Sequence, residues 1–148
     1  MIAVHARAPL RLGLAGGGTD VSPYSDIHGG RVLNATISLS THCHISIRHD
    51  ERVVLQADDF GESVELAAGA LPDLDGELLL HKAVYRRIVT QFLQGRPMPV
   101  TVTTYSDAPP GSGVGSSSAL VVAMSDVSKL DGVAKRESTD IVQKSRDS

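Results

Sequence analysis

The 148 residues carry 14 basic and 17 acidic side chains, a net charge of −3, with 41% hydrophobic, 21% charged and 3% aromatic residues and no Trp. These values describe a globular chain of about one domain with an aliphatic core, and they exclude a disordered or collagen-like polymer and a polybasic binder of nucleic acid or membrane surface. The single cysteine, Cys43, excludes an internal disulfide and a paired-cysteine zinc site.

No apolar run approaches the ~20 residues of a membrane span, and Met1–Arg7 lacks the apolar stretch of a signal peptide. A cytoplasmic location is therefore expected. Charge is unevenly spread: residues 125–148 hold 10 of the 31 charged side chains. The shift predicts an organised domain over residues 1–124 and a charged tail over 125–148.

In chain order, Ala6–Leu14 reads as a short strand entering the loop Gly16-Gly17-Gly18. Val32–Arg48 alternates strictly, with Ile37, Leu39, Thr41, Cys43, Ile45 and Ile47 on one face and Ser38, Ser40, His42, His44, Ser46 and Arg48 on the other. That period of two predicts a half-buried strand. Val53–Ala57 and Ser63–Leu66 read as shorter strands separated by the turn cluster Asp58–Gly61. The period then changes, and Leu78–Leu93 reads as an amphipathic helix closed by Gly95 and Pro97. Val100–Tyr105 alternates again, and Ser116 to about Ala134 fits a second helix. Both periodicities, with antiparallel-style strand runs, predict an α+β fold.

The strongest chemical signal is Pro109-Pro110-Gly111-Ser112-Gly113-Val114-Gly115-Ser116-Ser117-Ser118-Ala119, placed between a strand and a helix. Glycines let the backbone approach a ligand closely. A helix start offers unpaired N–H groups and the positive end of the dipole, which together favour phosphate. A serine hydroxyl there can also serve Mg²⁺, a hard ion that takes oxygen ligands. The plainer alternative is a flexible loop with serine N-caps. A Walker loop is excluded because no lysine lies between Lys82 and Lys129. A Rossmann fingerprint wants a third Gly or Ala where Ser116 stands, and Pro109 and Pro110 occupy its approach. A nucleophile elbow centred on Ser117 fails as well, because the last histidine, His81, precedes it.

A second signal is Pro9-Leu10-Arg11-Leu12-Gly13-Leu14-Ala15-Gly16-Gly17-Gly18-Thr19-Asp20. Arg11 could stabilise charge on a transferring phosphoryl group, and Asp20 could accept hydrogen bonds from sugar hydroxyls. Together the two signals point to phosphoryl transfer.

This pair of motifs resembles the galactokinase/homoserine kinase/mevalonate kinase/phosphomevalonate kinase (GHMP) superfamily. Within it, Ala8–Asp20 with Tyr24 and Gly29-Gly30 looks most like the bacterial D-glycero-D-manno-heptose 7-phosphate kinase group. The resemblance covers residues ~5–124. It implies a ribosomal protein S5 domain 2-like N-terminal domain and an ATP- and Mg²⁺-dependent kinase acting on a hydroxyl of a sugar or sugar phosphate. By the same resemblance Pro110, Gly111, Ser112, Gly113, Val114, Gly115, Ser116, Ser117 and Ser118 wrap the nucleotide phosphates, and Ser117 ligates Mg²⁺. Arg11 matches the arginine near the reacting centre, and Gly17, Gly18, Thr19 and Asp20 match the sugar-binding turn. The family's later acidic residues and its third glycine-rich motif have no counterpart after Met124, and Glu137 and Asp140 receive no role. The expectation is thus an N-terminal fragment, inactive alone, truncated or altered in frame near residue 125.

Other side chains invite chemistry but have simpler readings. His42 and His44 share a strand face and could grip a metal with His49 as a third ligand; polar-face histidines explain the spacing without one. Cys43 reads as a small core residue. Asp58-Asp59 and Asp73, Asp75 and Glu77 read as solvated turn charges. The competing functional class is a non-catalytic domain that pairs with itself through uncovered apolar faces and strand edges, giving a homo-oligomer.

Overall fold

The computed structural model describes residues 3–67 and 69–126. Five strands and three helices follow in the order β1 (Ala3–Ala15), α1 (Tyr24–His28), β2 (Leu33–Ile47), β3 (Arg52–Ala57), β4 (Glu62–Ala67), α2 (Leu79–Phe92), β5 (Val100–Ser106) and α3 (Ser116–Met124). The strands form one sheet in the order β1-β2-β5-β3-β4, antiparallel except for the parallel β3–β5 pair. This is the α+β architecture expected, with one parallel pairing that the alternation pattern does not encode.

One face of the sheet makes the core. Ala6, Ala8 and Leu10 of β1, Cys43 and Ile45 of β2, Val53, Leu55 and Ala57 of β3, and Val100 and Val102 of β5 are buried at every second position. Val84, Tyr85, Ile88 and Val89 of α2 and Ala119, Ala123 and Met124 of α3 complete the same cluster. Each fully buried Val, Leu or Ile contributes roughly 1.5–3 kcal/mol, so stability rests on these aliphatic layers rather than on aromatics. Tyr85 is the aromatic exception; its hydroxyl donates to the Met98 carbonyl at 3.1 Å, and burial pushes its pKa up to about 12.

Two sequence expectations change. The strict alternation across Val32–Arg48 places Leu39 inside and Ser40 outside, yet Leu39 is exposed and Ser40 is buried. The cause is a register shift against β1: Pro9 pairs with Ser40, but Arg11 pairs with Thr36. Here β2 advances four residues while β1 advances two, a bulge that breaks the pleat around Leu39 and Ser40, while Ile37 and Thr41 on either side keep to the core face. Ser40 is then held by Asp107, whose carboxylate accepts from the Ser40 N–H at 2.8 Å while its own N–H donates to the Ser40 carbonyl at 3.0 Å. The second change is α1, a helix of five residues after Pro23 that is too short to carry a periodic signal.

Helix α2 starts after Leu78, which sits at a positive φ of 52°, and one turn-closing bond runs from the Gly95 N–H to the Val89 carbonyl at 2.9 Å. Its bounds agree with the sequence reading within one residue. Helix α3 is described to Met124. The expected extension toward Ala134, and with it Glu137, Asp140 and the charged tail from residue 127 onward, lies outside the described residues. Among the described residues, no helix is long and apolar enough to cross a membrane.

Candidate functional site

Strand β5 delivers the chain directly into the glycine-serine loop. Gly111, Gly113 and Gly115 adopt positive φ of 78°, 72° and 79°, and a Cβ at Gly111 or Gly113 would meet nothing within 4 Å. The loop backbone there faces open space, as a cradle for a ligand requires. Gly115 forms the N-cap of α3, so Ser116, Ser117 and Ser118 occupy the first helical turn, and no side chain caps it. The first helical bond runs from the Ala119 N–H to the Gly115 carbonyl at 3.0 Å. The serines are therefore not N-caps, and the first-turn N–H groups keep their capacity for an anion.

The arginine motif lies against this loop. The Arg11 N–H donates to the Val114 carbonyl at 3.1 Å, and a Cβ at Gly115 would lie 3.7 Å from Arg11 Nε. Arg11, Gly115 and Ser118 share an open cavity of ≈ 170 Å³ with Pro9 and Val122. Ser116 and Ser117 line a different cavity of ≈ 60 Å³, with Asp59, Phe60, His81 and Thr104. The loop thus separates two recesses, one holding Arg11 and one holding the serine expected to serve Mg²⁺.

The turn Gly16–Asp20 folds back on residues 30–32. Thr19 Oγ1 donates to the Gly16 carbonyl at 2.7 Å, lies 3.0 Å from the Arg31 carbonyl and accepts from the Arg31 N–H at 3.1 Å. Gly30 is required by contact, since a Cβ there would fall 2.3 Å from the Thr19 carbonyl oxygen. Thr19 is thereby committed to holding the turn, while Gly17, Gly18 and Asp20 are exposed. Among the described residues, no hydrogen bond or ion pair joins Asp20 to Arg11 or to the glycine-serine loop.

Asp59, Phe60, His81 and Thr104 were not singled out for function by sequence, and no local pattern marks them. They meet only because β3, β5 and α2 converge beside α3. His81 is buried, its Nε2 lies 2.7 Å from Thr104 Oγ1, and burial lowers its pKa, which keeps the ring neutral.

The opposite face of the sheet carries His5, His42 and His44. His5 stacks on His44 with ring centroids 4.2 Å apart and interplanar angle 6°, and His42 stacks on Tyr105 at 4.5 Å and 6°. His5 Nε2 and His42 Nδ1 lie 3.1 Å apart, so these two ring nitrogens engage each other within the stack. Among the described residues, no group of three His, Cys, Asp or Glu side chains is arranged to hold a metal ion. Cys43 is fully buried and its thiol is pushed up to about 12 by desolvation, as befits a core residue. Asp107, at the head of the glycine-serine loop, has its pKa lowered by the Ser40 N–H first and His42 second. Its ionised form therefore stabilises the fold above the ordinary value of 3.8, and that contribution is lost as pH falls below it. Acid melts should show a steeper fall in Tm below about pH 4 for the wild type than for Asp107→Asn. Parallel curves would contradict this assignment.

Comparison with known proteins bears on the whole arrangement. Residues 80–129 match the family model described as the GHMP kinases N terminal domain, a stretch that includes β5, the glycine-serine loop and α3. The chain is 44% identical over 124 residues to D-glycero-alpha-D-manno-heptose 7-phosphate kinase of Campylobacter jejuni, covering 84% of this chain and 36% of that enzyme. The structure of a D-glycero-D-manno-heptose 1-phosphate kinase from Bacteroides thetaiotaomicron superposes with TM-score 0.75 at 46% identity, over 83% of this chain and 40% of the other. Mevalonate kinase of Methanococcus jannaschii, at 16% identity and TM-score 0.63 over 83% of this chain and 38% of its own, shares the fold. The chain thus spans well under half the length of these relatives.

Proposed function

We propose that the chain forms the nucleotide-binding part of an ATP-dependent kinase that phosphorylates a hydroxyl of a sugar or sugar phosphate, of the heptose 7-phosphate kinase kind. Residues 1–124 make up the domain, with residues 125–148 a tail outside it. The reading rests on one observation above all: an uncapped helix start bearing Ser116–Ser118, preceded by a glycine cradle and fastened to Arg11 through Val114. The N–H groups of Gly111 and of residues 113–118 would hold the phosphates of ATP, while that of Ser112 is taken by the Pro109 carbonyl at 3.2 Å. Arg11 would offset charge on the transferring group, and Gly17, Gly18 and Asp20 would face the acceptor, with Thr19 shaping their turn.

A divalent ion fits this donor set only together with a nucleotide. Ser117 offers a hard oxygen at the cavity wall, and Mg²⁺ commonly takes its remaining ligands from phosphate and water. Bound there, the ion would neutralise phosphate charge. Ser117 would orient it, and the helix start would fix the phosphates.

Titration of the 148-residue chain with a non-hydrolysable ATP analogue and Mg²⁺ tests the reading. At a hundredfold excess over Kd the expected stabilisation is about 2.7 kcal/mol, and Ser117→Ala should lose the part that depends on Mg²⁺. Little phosphoryl transfer by this chain alone is expected, because transfer needs metal, donor and acceptor positioned together. An unchanged melting temperature at millimolar analogue would sink the nucleotide reading. It would favour a second one, a non-catalytic domain that self-associates, for which the exposed Leu14, Ile27 and Leu33 speak at 59%, 72% and 60% exposure.

A further inference from the structure

Among the described residues, a single buried side-chain oxygen lacks a hydrogen-bond partner: Oγ1 of Thr41. The residue is 2% exposed and lines the same cavity as Ser116 and Ser117. It continues the buried row Cys43 and Ile45 along β2, where valine would pack equally well and leave no hydroxyl to satisfy. An unpaired buried hydroxyl is destabilising, and native structures normally supply its partner from protein, water or ligand. Protein supplies none here. The neighbouring hydroxyl, Thr104 Oγ1, is already engaged by His81 Nε2 at 2.7 Å and by the Gln56 carbonyl at 3.3 Å.

We propose that Thr41 is a ligand-binding residue whose hydroxyl hydrogen-bonds the nucleoside end of the bound nucleotide; this rests on the nucleotide reading of the cavity. The lining decides between the two ends of such a ligand. No lysine or arginine lines the cavity, and its walls include Phe60, Ala108 and Leu120. Phosphate is served at the start of α3, whereas apolar walls with hydroxyl groups and the single carboxylate of Asp59, which repels phosphate, suit a base and ribose. His81, kept neutral by burial, fits that end as well. Rotation about the Thr41 Cα–Cβ bond carries the hydroxyl between staggered positions, so the hydrogen bond would be made by a change of rotamer at the cavity wall.

Calorimetric titration of the full chain with ADP and with tripolyphosphate, each with Mg²⁺, tests the assignment in wild type, Thr41→Val and Thr41→Ser. Thr41→Val should melt at or above the wild-type temperature without ligand, bind ADP about tenfold more weakly, and bind tripolyphosphate as wild type does. Thr41→Ser should recover most of the ADP affinity. Unchanged ADP affinity in Thr41→Val would overturn the proposal, and with a lowered melting temperature it would assign the hydroxyl to a buried water. Equal weakening toward both ligands would overturn it in favour of a phosphate contact. Should wild type bind tripolyphosphate but gain nothing from the nucleoside, the nucleoside pocket falls while the phosphate loop stands. Binding of neither ligand by wild type would remove the nucleotide reading itself.

Discussion

Leu55→Ala should lower the unfolding free energy by about 3 kcal/mol and the Tm by about 10 °C. Leu55 is fully buried in β3, paired with Val102 of β5 on one side and Val64 of β4 on the other. It stands where the parallel pair meets the β3–β4 hairpin, beneath side chains of α2 in the same core cluster. Removing its isobutyl group leaves a void that flanking β-branched residues cannot close, because their side chains have few rotamers to offer. Val64→Ala, on the partly exposed edge strand, should cost much less. Chemical denaturation of both variants checks the contrast. A loss below 1 kcal/mol for Leu55→Ala would mean that the sheet relaxes around the gap.

The second large effect is expected at Gly16. Its φ is 76°, and an added Cβ would lie 2.0 Å from the Arg31 carbonyl oxygen, a backbone atom that cannot swing aside. Alanine there carries the left-handed penalty of about 1–2 kcal/mol and also forces the turn off residues 30–32. The Thr19 hydrogen bonds that hold the turn would be lost with it. Amide exchange over residues 16–31 should accelerate by about a hundredfold, with a smaller fall in global Tm, because the damage is confined to one locally opening segment. Gly17→Ala is the control: a Cβ at Gly17 meets nothing within 4 Å, so its stability should stay within about 0.5 kcal/mol of wild type. Equal exchange in the two variants would show that the close approach at Gly16 does not govern the turn.

The physical basis for these expectations also shows what the amino-acid order revealed. Alternation in β2, β3 and β5 and the helical spacing of α2 were legible because each segment buries one face against a common core. The glycine-serine loop was legible as a strand-to-helix turn because glycines at positive φ followed by a helix start leave particular residue types in a row. Exposure of Leu39 was not legible, since it lies in the bulged stretch between the Pro9–Ser40 and Arg11–Thr36 pairs, which only the partner strand decides. Nor was the recess formed by Thr41, Asp59, His81 and Thr104, whose members come from separate elements. Their sequence neighbourhoods read as strand, turn and helix interior, and only the parallel placement of β5 beside β3 brings them together.

That placement has a consequence for how the molecule is made. Strand β5 is the last strand among the described residues yet lies in the middle of the sheet, between β2 and β3. The first four strands can form only two separate pairs, β1 with β2 and β3 with β4, each with one side open. Val100–Ser106 must slide between them to join the halves, a long-range step of the slow kind. The glycine-serine loop begins just after that strand, so it takes shape only when the sheet has been joined. A bound nucleotide would therefore recognise, and hold in place, molecules that have completed the final insertion.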